Sequence, residues 1–252
     1  MRFVRGLITL FGLLMLWQAV VWMAAPPPFI LPGPVQVLLT LVWNAGSLAE
    51  NAAITAIEML VGLALGTLLG IAIALLLAGS TTVQRWGLPV LILSQALPVF
   101  ALAPVLVLWL GFGLASKIAM TTLITLFPVA LAYLEGMRRT DQALIDLGRL
   151  WGLSGYREVL EVRAKAALPA LASGFKGAAA ASPMAAIIGE WVGAAGGLGF
   201  VMIQANARMQ TDMLFAAVVV LMAMGVALWF AVEWALSRAL PWAADSARQG
   251  DE

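Results

Sequence analysis

Residues 52–77 read AAITAIEMLVGLALGTLLGIAIALLL, with Glu58 the one ionisable side chain among them. At about 1.5 Å rise per residue, roughly 20 helical residues cross a hydrocarbon core about 30 Å thick, so the stretch is read as a transmembrane helix. Gly62, Gly66 and Gly70 recur every four residues, with Ala74 next in the series. They line one helical face. Lipid supplies no hydrophobic drive between helices, so close backbone approach along a stripe of small residues must hold such helices together, and packing outranks direct substrate contact as the role of these glycines. Glu58 lies one turn before Gly62 on roughly the same face, near the outer end of the seam. A structural hydrogen bond is weighed there against a part in a translocation pathway.

Working outward, comparable apolar runs occur at 7–25, 88–110, 116–134, 171–190 and 213–236. Together they predict an all-α polytopic membrane protein with about six transmembrane helices and a single domain over 1–252. The run at 7–25 exceeds the length of a secretory signal core, and Pro26-Pro27-Pro28 follows it without a processing context, so it is read as a retained span. Pro89, Pro98 and Pro104 predict a kinked or re-entrant third span. Between the first two spans, Val35, Leu38, Leu39 and Val42 stand at helical spacing after Pro32-Gly33-Pro34, which suggests a short amphipathic helix at the membrane surface, with a plain loop as the alternative.

The chain is 63% hydrophobic and 11% charged, far from the balance of a water-soluble domain. Its formal charge of +1 gives no reason to expect a nucleic-acid partner. With no Cys and no His, disulfides, thiolate chemistry, imidazole bases and the usual zinc sites are excluded. No Gly-x-x-x-x-Gly-Lys-Ser/Thr stretch occurs, so the chain has no phosphate-cradling loop of its own, and neither a catalytic site nor a bound metal or cofactor is expected.

The distribution of charge orients the spans. If the chain starts inside, Arg2, Arg5, Arg85, Arg138, Arg139, Arg149, Arg157, Arg163, Lys165, Lys176, Arg238 and Arg248 fall on or near the cytoplasmic side, and only Lys117 and Arg208 fall outside. That asymmetry predicts both termini on the cytoplasmic side of the membrane.

Residues 135–170 form the longest charged interruption. Leu144, Leu147 and Trp151 recur at spacings of three and four, with Asp146 and Arg149 elsewhere around the turn, which predicts an amphipathic helix over 141–151 ended by Gly152. A second helix is expected over 156–167, with Arg157 and Glu161 placed for an i,i+4 pair. Two ordered helices exceed what a connector needs. They suggest a docking surface.

On these and further residues the chain resembles the membrane permeases of bacterial binding-protein-dependent ABC importers, in the group that handles nitrate, sulfonates, taurine and pyrimidine precursors. In that family a cytoplasmic loop carries a Glu-Ala-Ala signature, then Gly, then Leu-Pro. Here Asp146-Leu147-Gly148, Gly152 and Leu168-Pro169 match it. The acid is kept, Leu147-Gly148 departs from the two alanines, and Lys165 stands where relatives often have Pro. Further matches are Pro32-Gly33-Pro34, Pro98, Pro104, Trp109-Leu110-Gly111-Phe112-Gly113, Ser116-Lys117-Ile118, Phe127-Pro128, Gly174-Phe175-Lys176, and Glu190 followed by Gly197-Leu198-Gly199. At Glu58 relatives commonly have Arg.

The resemblance implies a type I importer transmembrane domain that pairs with a second permease, as a homodimer. Two cytoplasmic ATPases holding ATP and Mg would supply the energy, an extracytoplasmic solute-binding protein the substrate. It also implies that Leu144, Asp146, Leu147, Arg149, Trp151 and Gly152 form the ATPase-coupling element. Residues 189–194 and 205–212 look most like permeases for hydroxymethylpyrimidine-type thiamine precursors. Taurine, alkanesulfonates, nitrate and riboflavin stand as alternatives.

The glycines of 193–199 permit tight backbone paths, so Glu58, Glu190, Gly197, Gly199 and Asn206 are candidates for the pathway or an outer gate, against an ordinary surface turn. Trp191 is read as an interfacial anchor. Two readings of other classes remain open at this point. One is a non-transporting membrane scaffold. The other is an ion-coupled transporter using Glu58, Glu190 or Glu233, ranked lower because these acids are scattered along the chain.

Overall fold

A computed structural model of the protein describes residues 2–96, 98–193 and 195–242; Arg248 and Ala194 thus lie outside the described residues. The chain is all helical there. It runs α1 (Arg2–Ala24), α2 (Pro34–Trp43), α3 (Ala45–Gly79), α4 (Thr81–Ala96), α5 (Val99–Leu110), α6 (Leu114–Arg138), α7 (Gln142–Leu150) and α8 (Tyr156–Glu158). A π-helical turn, Val159–Arg163, leads into α9 (Ala164–Ala166), α10 (Leu168–Gly193), α11 (Leu198–Ala207) and α12 (Thr211–Ala239). Among the described residues α3, α6, α10 and α12 are each long and apolar enough to cross a membrane. The protein is a multi-pass membrane protein.

The centre of the bundle is α6, flanked by α3 and α10. A side chain at Gly62 would strike Thr121, one at Gly66 would strike Thr125 and come within 2.8 Å of the Thr122 carbonyl, and one at Gly70 would lie 2.8 Å from the Leu126 carbonyl. These pairs advance together along both helices, so α3 and α6 run parallel. Gly174 faces Pro128 and Ala132 while Gly189 faces Lys117, so α10 runs antiparallel to α6. Lys176 meets Glu233 at 2.9 Å and Gly225 faces Pro183, which makes α12 antiparallel to α10. These directions agree with alternate crossings by successive spans.

Three expectations change. The third span is broken: α4 ends before Pro98, which has no N–H for a helix interior and serves as the N-cap of α5. Pro89 and Pro104 stay inside their helices. The second span is one 35-residue helix that begins at Ala45, directly after α2. On α2, Val35, Leu38, Leu39 and Val42 are exposed, whereas Pro34, Val37 and Thr40 pack inward against α12. In a bilayer the exposed apolar stripe meets acyl chains, so hydrophobicity does not mark the buried face. Thr40 instead donates to Asp212 at 2.9 Å and fastens α2 to the start of α12.

Candidate functional site

At the end of the bundle where α3 and α6 begin, charged side chains from three helices meet. Glu58 on α3, Lys117 on α6 and Glu190 on α10 are 0%, 3% and 1% exposed. Glu190 accepts from Thr55 at 2.6 Å and from the backbone N–H of Gly199. Thr55 in turn accepts from the N–H of Leu198 at 2.9 Å, and Asn51 accepts from the N–H of Gly197 at 2.8 Å. The opening amides of α11, which have no carbonyl within their own helix, are thus satisfied by side chains of α3 and α10. Gly197 has φ of 106°, and a side chain there would collide with the Glu190 carboxylate; one at Gly199 would sit 2.8 Å from the same group. The two glycines let the carboxylate reach the backbone.

The same knot is short of positive charge. Lys117 Nζ lies 3.6 Å from Glu58 Oε1, beyond hydrogen-bond distance. Neither Glu58 oxygen, nor the Thr121 hydroxyl, has a hydrogen-bond partner among the described residues. Buried charges left incompletely paired are costly, more so than the pairing recovers.

The structure thus joins Glu58, Glu190, Gly197 and Gly199, and corrects the view that the acids are scattered. Glu233 stands apart with Lys176. Asn206 also stands apart, exposed at the far end of α11. Lys117, assigned to the outer surface, is inside the helix packing. A lone cation in the apolar run 116–134 was the signal for that. Asn51 and Thr55 gave no signal. Trp191 is not an isolated anchor: its ring tilts on Phe100 with centroids 6.2 Å apart, at the edge of an apolar groove of about 650 Å³ between α10 and α12.

The other end of the bundle carries α7. Asp141 caps it by accepting from Ala143 N–H at 2.9 Å. Its C-terminus closes through Leu153 N–H to the Gly148 carbonyl at 3.0 Å and Gly152 N–H to the Arg149 carbonyl at 2.9 Å. Gly152 takes the positive φ of 78° that this closure requires. Ile145 and Gly148 face inward. A side chain at Gly148 would lie 2.8 Å from Val162, which gives a packing reason for glycine at that position. Leu144, Leu147 and Trp151 face out, 47%, 46% and 78% exposed. They line an open groove of about 780 Å³ with Arg157, Glu161 and Lys165. The exposed apolar side chains between charged ones give α7 the character of a docking surface.

Behind α7 lies Glu158, 6% exposed, which no local spacing in the sequence marks. It accepts from Arg163 at 2.9 and 2.5 Å and from Arg149 at 3.2 Å. Burial by itself pushes this carboxyl up; the hydrogen bonds and charges of Arg163 and Arg149 overrule it and hold the group below the usual carboxylate range. Arg163 stands five residues after Glu158, a spacing an α-helix does not align. The wider π turn does, and this is a departure from the regular helix expected over 156–167. The expected Arg157–Glu161 pair is replaced by Glu161–Lys165 at 2.5 Å, and this partner lowers the Glu161 carboxyl.

Comparison with known proteins places these features in a family. The model of the binding-protein-dependent transport system inner membrane component matches residues 66–240. A probable ABC transporter permease of Haemophilus influenzae is 45% identical over 94% of this chain and 97% of its own length. The formylaminopyrimidine transport permease of Halalkalibacterium halodurans is 30% identical over 91% of this chain and 92% of its own. The riboflavin transport system permease of Chloroflexus aurantiacus is 32% identical over 85% of this chain and 81% of its own.

Proposed function

The chain belongs to the binding-protein-dependent transport system inner membrane components and is the permease subunit of an ABC importer for a small polar solute; from that premise we propose that α7 docks an ATPase and that the buried knot at the other end closes the pathway. Family membership implies a second permease, ATPase subunits and a solute-binding protein as partners. In the proposed assembly two copies of this chain pair, ATP and Mg reside in the ATPases, residues 135–170 face the cytoplasm with both termini, and the knot faces outward.

The observation that carries the coupling role is the exposure of Leu144, Leu147 and Trp151 on a helix whose other face is packed and whose ends are capped. An ATPase cleft can bury that surface without unfolding anything. Asp146 and Arg149, 3.5 Å apart and half-exposed, flank it and can orient the contact through charge-assisted hydrogen bonds. At the opposite end, Glu190 holds α11 shut against α3. Outward opening then requires the Thr55, Gly197 and Gly199 contacts to part.

The substrate reading is broader than a hydroxymethylpyrimidine-type precursor. Relatives named for formylaminopyrimidine, riboflavin and aliphatic sulfonates share 30%, 32% and 30% identity with the chain, too even a spread to select one. We assign the solute to this group of small polar organic molecules, with a pyrimidine precursor as one member. Calorimetry of the cognate binding protein against formylaminopyrimidine, riboflavin, taurine and an alkanesulfonate, followed by uptake into proteoliposomes, decides among them. Binding of none of the four would overturn the assignment.

The docking role is tested by the double substitution Leu147→Asp, Trp151→Asp. Desolvating two carboxylates against an apolar cleft costs about several kcal/mol. Membrane insertion is expected to be normal, with ATPase co-purification and uptake lost. Unchanged association and uptake would refute the role.

A further inference from the structure

We propose that Glu158 is the positioning residue that ties α7 rigidly to the membrane helices, so that a displacement of the docking helix reaches α3 and α6 undiminished. This rests on the reading of α7 as the ATPase-docking helix. Three observations carry it.

First, α7 is short and the chain reverses after it. It is nine residues long, and the segment after it contains Gly152 and Gly155, both at positive φ with open space around a side chain. Ile145 and Gly148 seat the helix by packing, the latter against Val162, and a charged tie beside that packing fixes its direction under load. Second, Glu158 supplies the brace. Its buried carboxylate accepts from Arg149, which belongs to α7, and from Arg163, which ends the π turn, so one side chain bonds both bodies. Two guanidinium groups on one carboxylate keep it charged and strengthen the hydrogen bonds it accepts.

Third, the body on the far side of the brace is anchored to the membrane helices. A side chain at Gly79, the end of α3, would lie 2.8 Å from the Tyr156 ring, so the two are in close contact. Tyr133 on α6 donates to the Ala164 carbonyl at 3.2 Å. The mechanical path is therefore α7, Arg149, Glu158, the π turn, and then α3 and α6 together. A π turn in this path brings Arg163 over Glu158, which gives the irregular turn a purpose.

The test uses the whole transporter, with its ATPase and binding protein, in lipid nanodiscs and proteoliposomes. Glu158→Gln keeps the shape and removes the charge. It is expected to insert, to retain ATPase co-purification at the wild-type ratio, and to move about tenfold less solute per ATP hydrolysed. The chain has no cysteine, so Leu150→Cys and Leu76→Cys accept spin labels uniquely. Both positions are exposed. The distance between them is expected to stay narrow through the ATP cycle with Glu158 present and to broaden in Glu158→Gln. A merely structural residue would lower yield without changing the solute-to-ATP ratio of the folded fraction.

Wild-type stoichiometry with a narrow distance distribution would overturn the proposal. Loss of ATPase association after normal insertion would overturn it too, by placing Glu158 in docking itself. If Glu158→Gln fails to insert, Arg163→Gln cuts the other limb of the brace: uncoupled transport supports the proposal and wild-type coupling refutes it. Failure of the docking reading looks different, because Leu147→Asp, Trp151→Asp would then leave the ATPase bound whatever Glu158 does.

Discussion

Each end of the bundle is organised around buried glutamates, and the two ends treat them in opposite ways. Glu158 faces two arginines and accepts three hydrogen bonds from them. Glu190 is held by Thr55 and the Gly199 amide, whereas Glu58 has only Lys117 beside it, at 3.6 Å, and neither of its oxygens has a hydrogen-bond partner among the described residues. A carboxylate that is fully bonded resists displacement, whereas one that is buried and under-compensated raises the free energy of the state that contains it. The α7 end is therefore built to transmit and the knot end to let go. Under the proposed function, in which α7 docks an ATPase and the knot closes the pathway, this asymmetry puts the stiffness and the strain where each is useful.

The largest effect should come from removing the one cation found in the knot among the described residues. Lys117→Met leaves two buried carboxyl groups without the cation beside them, and the loss of stability is expected to be about 3–5 kcal/mol. The thermal unfolding midpoint in detergent reads it; an unshifted midpoint would erase the contrast between the ends. Next is the seam that joins them. Gly66→Leu must displace Thr125 and the backbone of α6, at about 3 kcal/mol, while Gly46→Leu, on the same helix with open space around it, should change little. Ala74→Leu is a poor control because Ala74 is fully buried. Similar folded yields for the two glycine variants would show that the seam yields.

Glu58→Gln sharpens the comparison from the other direction. It replaces an acid whose oxygens have no hydrogen-bond partner among the described residues by a neutral amide, and is expected to stabilise the resting protein by about 1 kcal/mol while slowing substrate-stimulated ATP hydrolysis, since the closed state becomes harder to leave. A destabilised variant would mean that Glu58 is well paired after all.

The smallest effect concerns acid. Glu158 titrates below its ordinary value of 4.5, facing Arg149 from α7 and Arg163 from the π turn, with Asp146 beside Arg149. A group with a depressed folded pKa contributes stability that is complete above the unfolded value and is lost as pH falls through the folded one. Hydrogen-exchange protection in residues 156–166, taken relative to the intrinsic rate at each pH, should therefore be flat from neutral pH to about 4.5 and fall below it, by an amount worth about 1 kcal/mol because both arginines are partly solvated. The Glu158→Gln variant should lack this acid step.

Much of the architecture is legible in the residues. Long apolar runs mark the crossings, Gly62, Gly66 and Gly70 mark a close contact, and the three prolines of 88–110 mark an irregular span without telling which of them interrupts the helix. The leucines of α2 mislead because in lipid the apolar stripe is the outside. Asp141, Gly152 and the outward face of α7 are readable since caps and helical spacing are local. The knot is not, because Asn51 and Thr55 on α3, Lys117 on α6 and Glu190 on α10 are brought together from three elements, and nothing along the chain announces which helices will touch. Glu158 was invisible for another reason. Its link to Arg163 depends on a π turn, and five-residue spacing counts as noise to any search tuned to a period of 3.6.

The seam between α3 and α6 has an ambiguity built into it. Small residues repeat every four positions on one helix, and Thr121 and Thr125 stand four apart on the other, so sliding α3 by one turn would set Gly66 against Thr121 and Gly70 against Thr125 and bring the Ala74 methyl to where a side chain lies 2.8 Å from the Leu126 carbonyl. Within the repeat that one methyl group distinguishes the alignments. Glu58 and Lys117 add to it, because a slip of one turn carries the carboxyl group past Lys117 to the level of Gly113 and leaves the lysine facing Gly62. The poorly satisfied pair thus acts as the pin in a vernier: it costs free energy and in return makes a single alignment of two otherwise repetitive helices the only one that keeps opposite charges together.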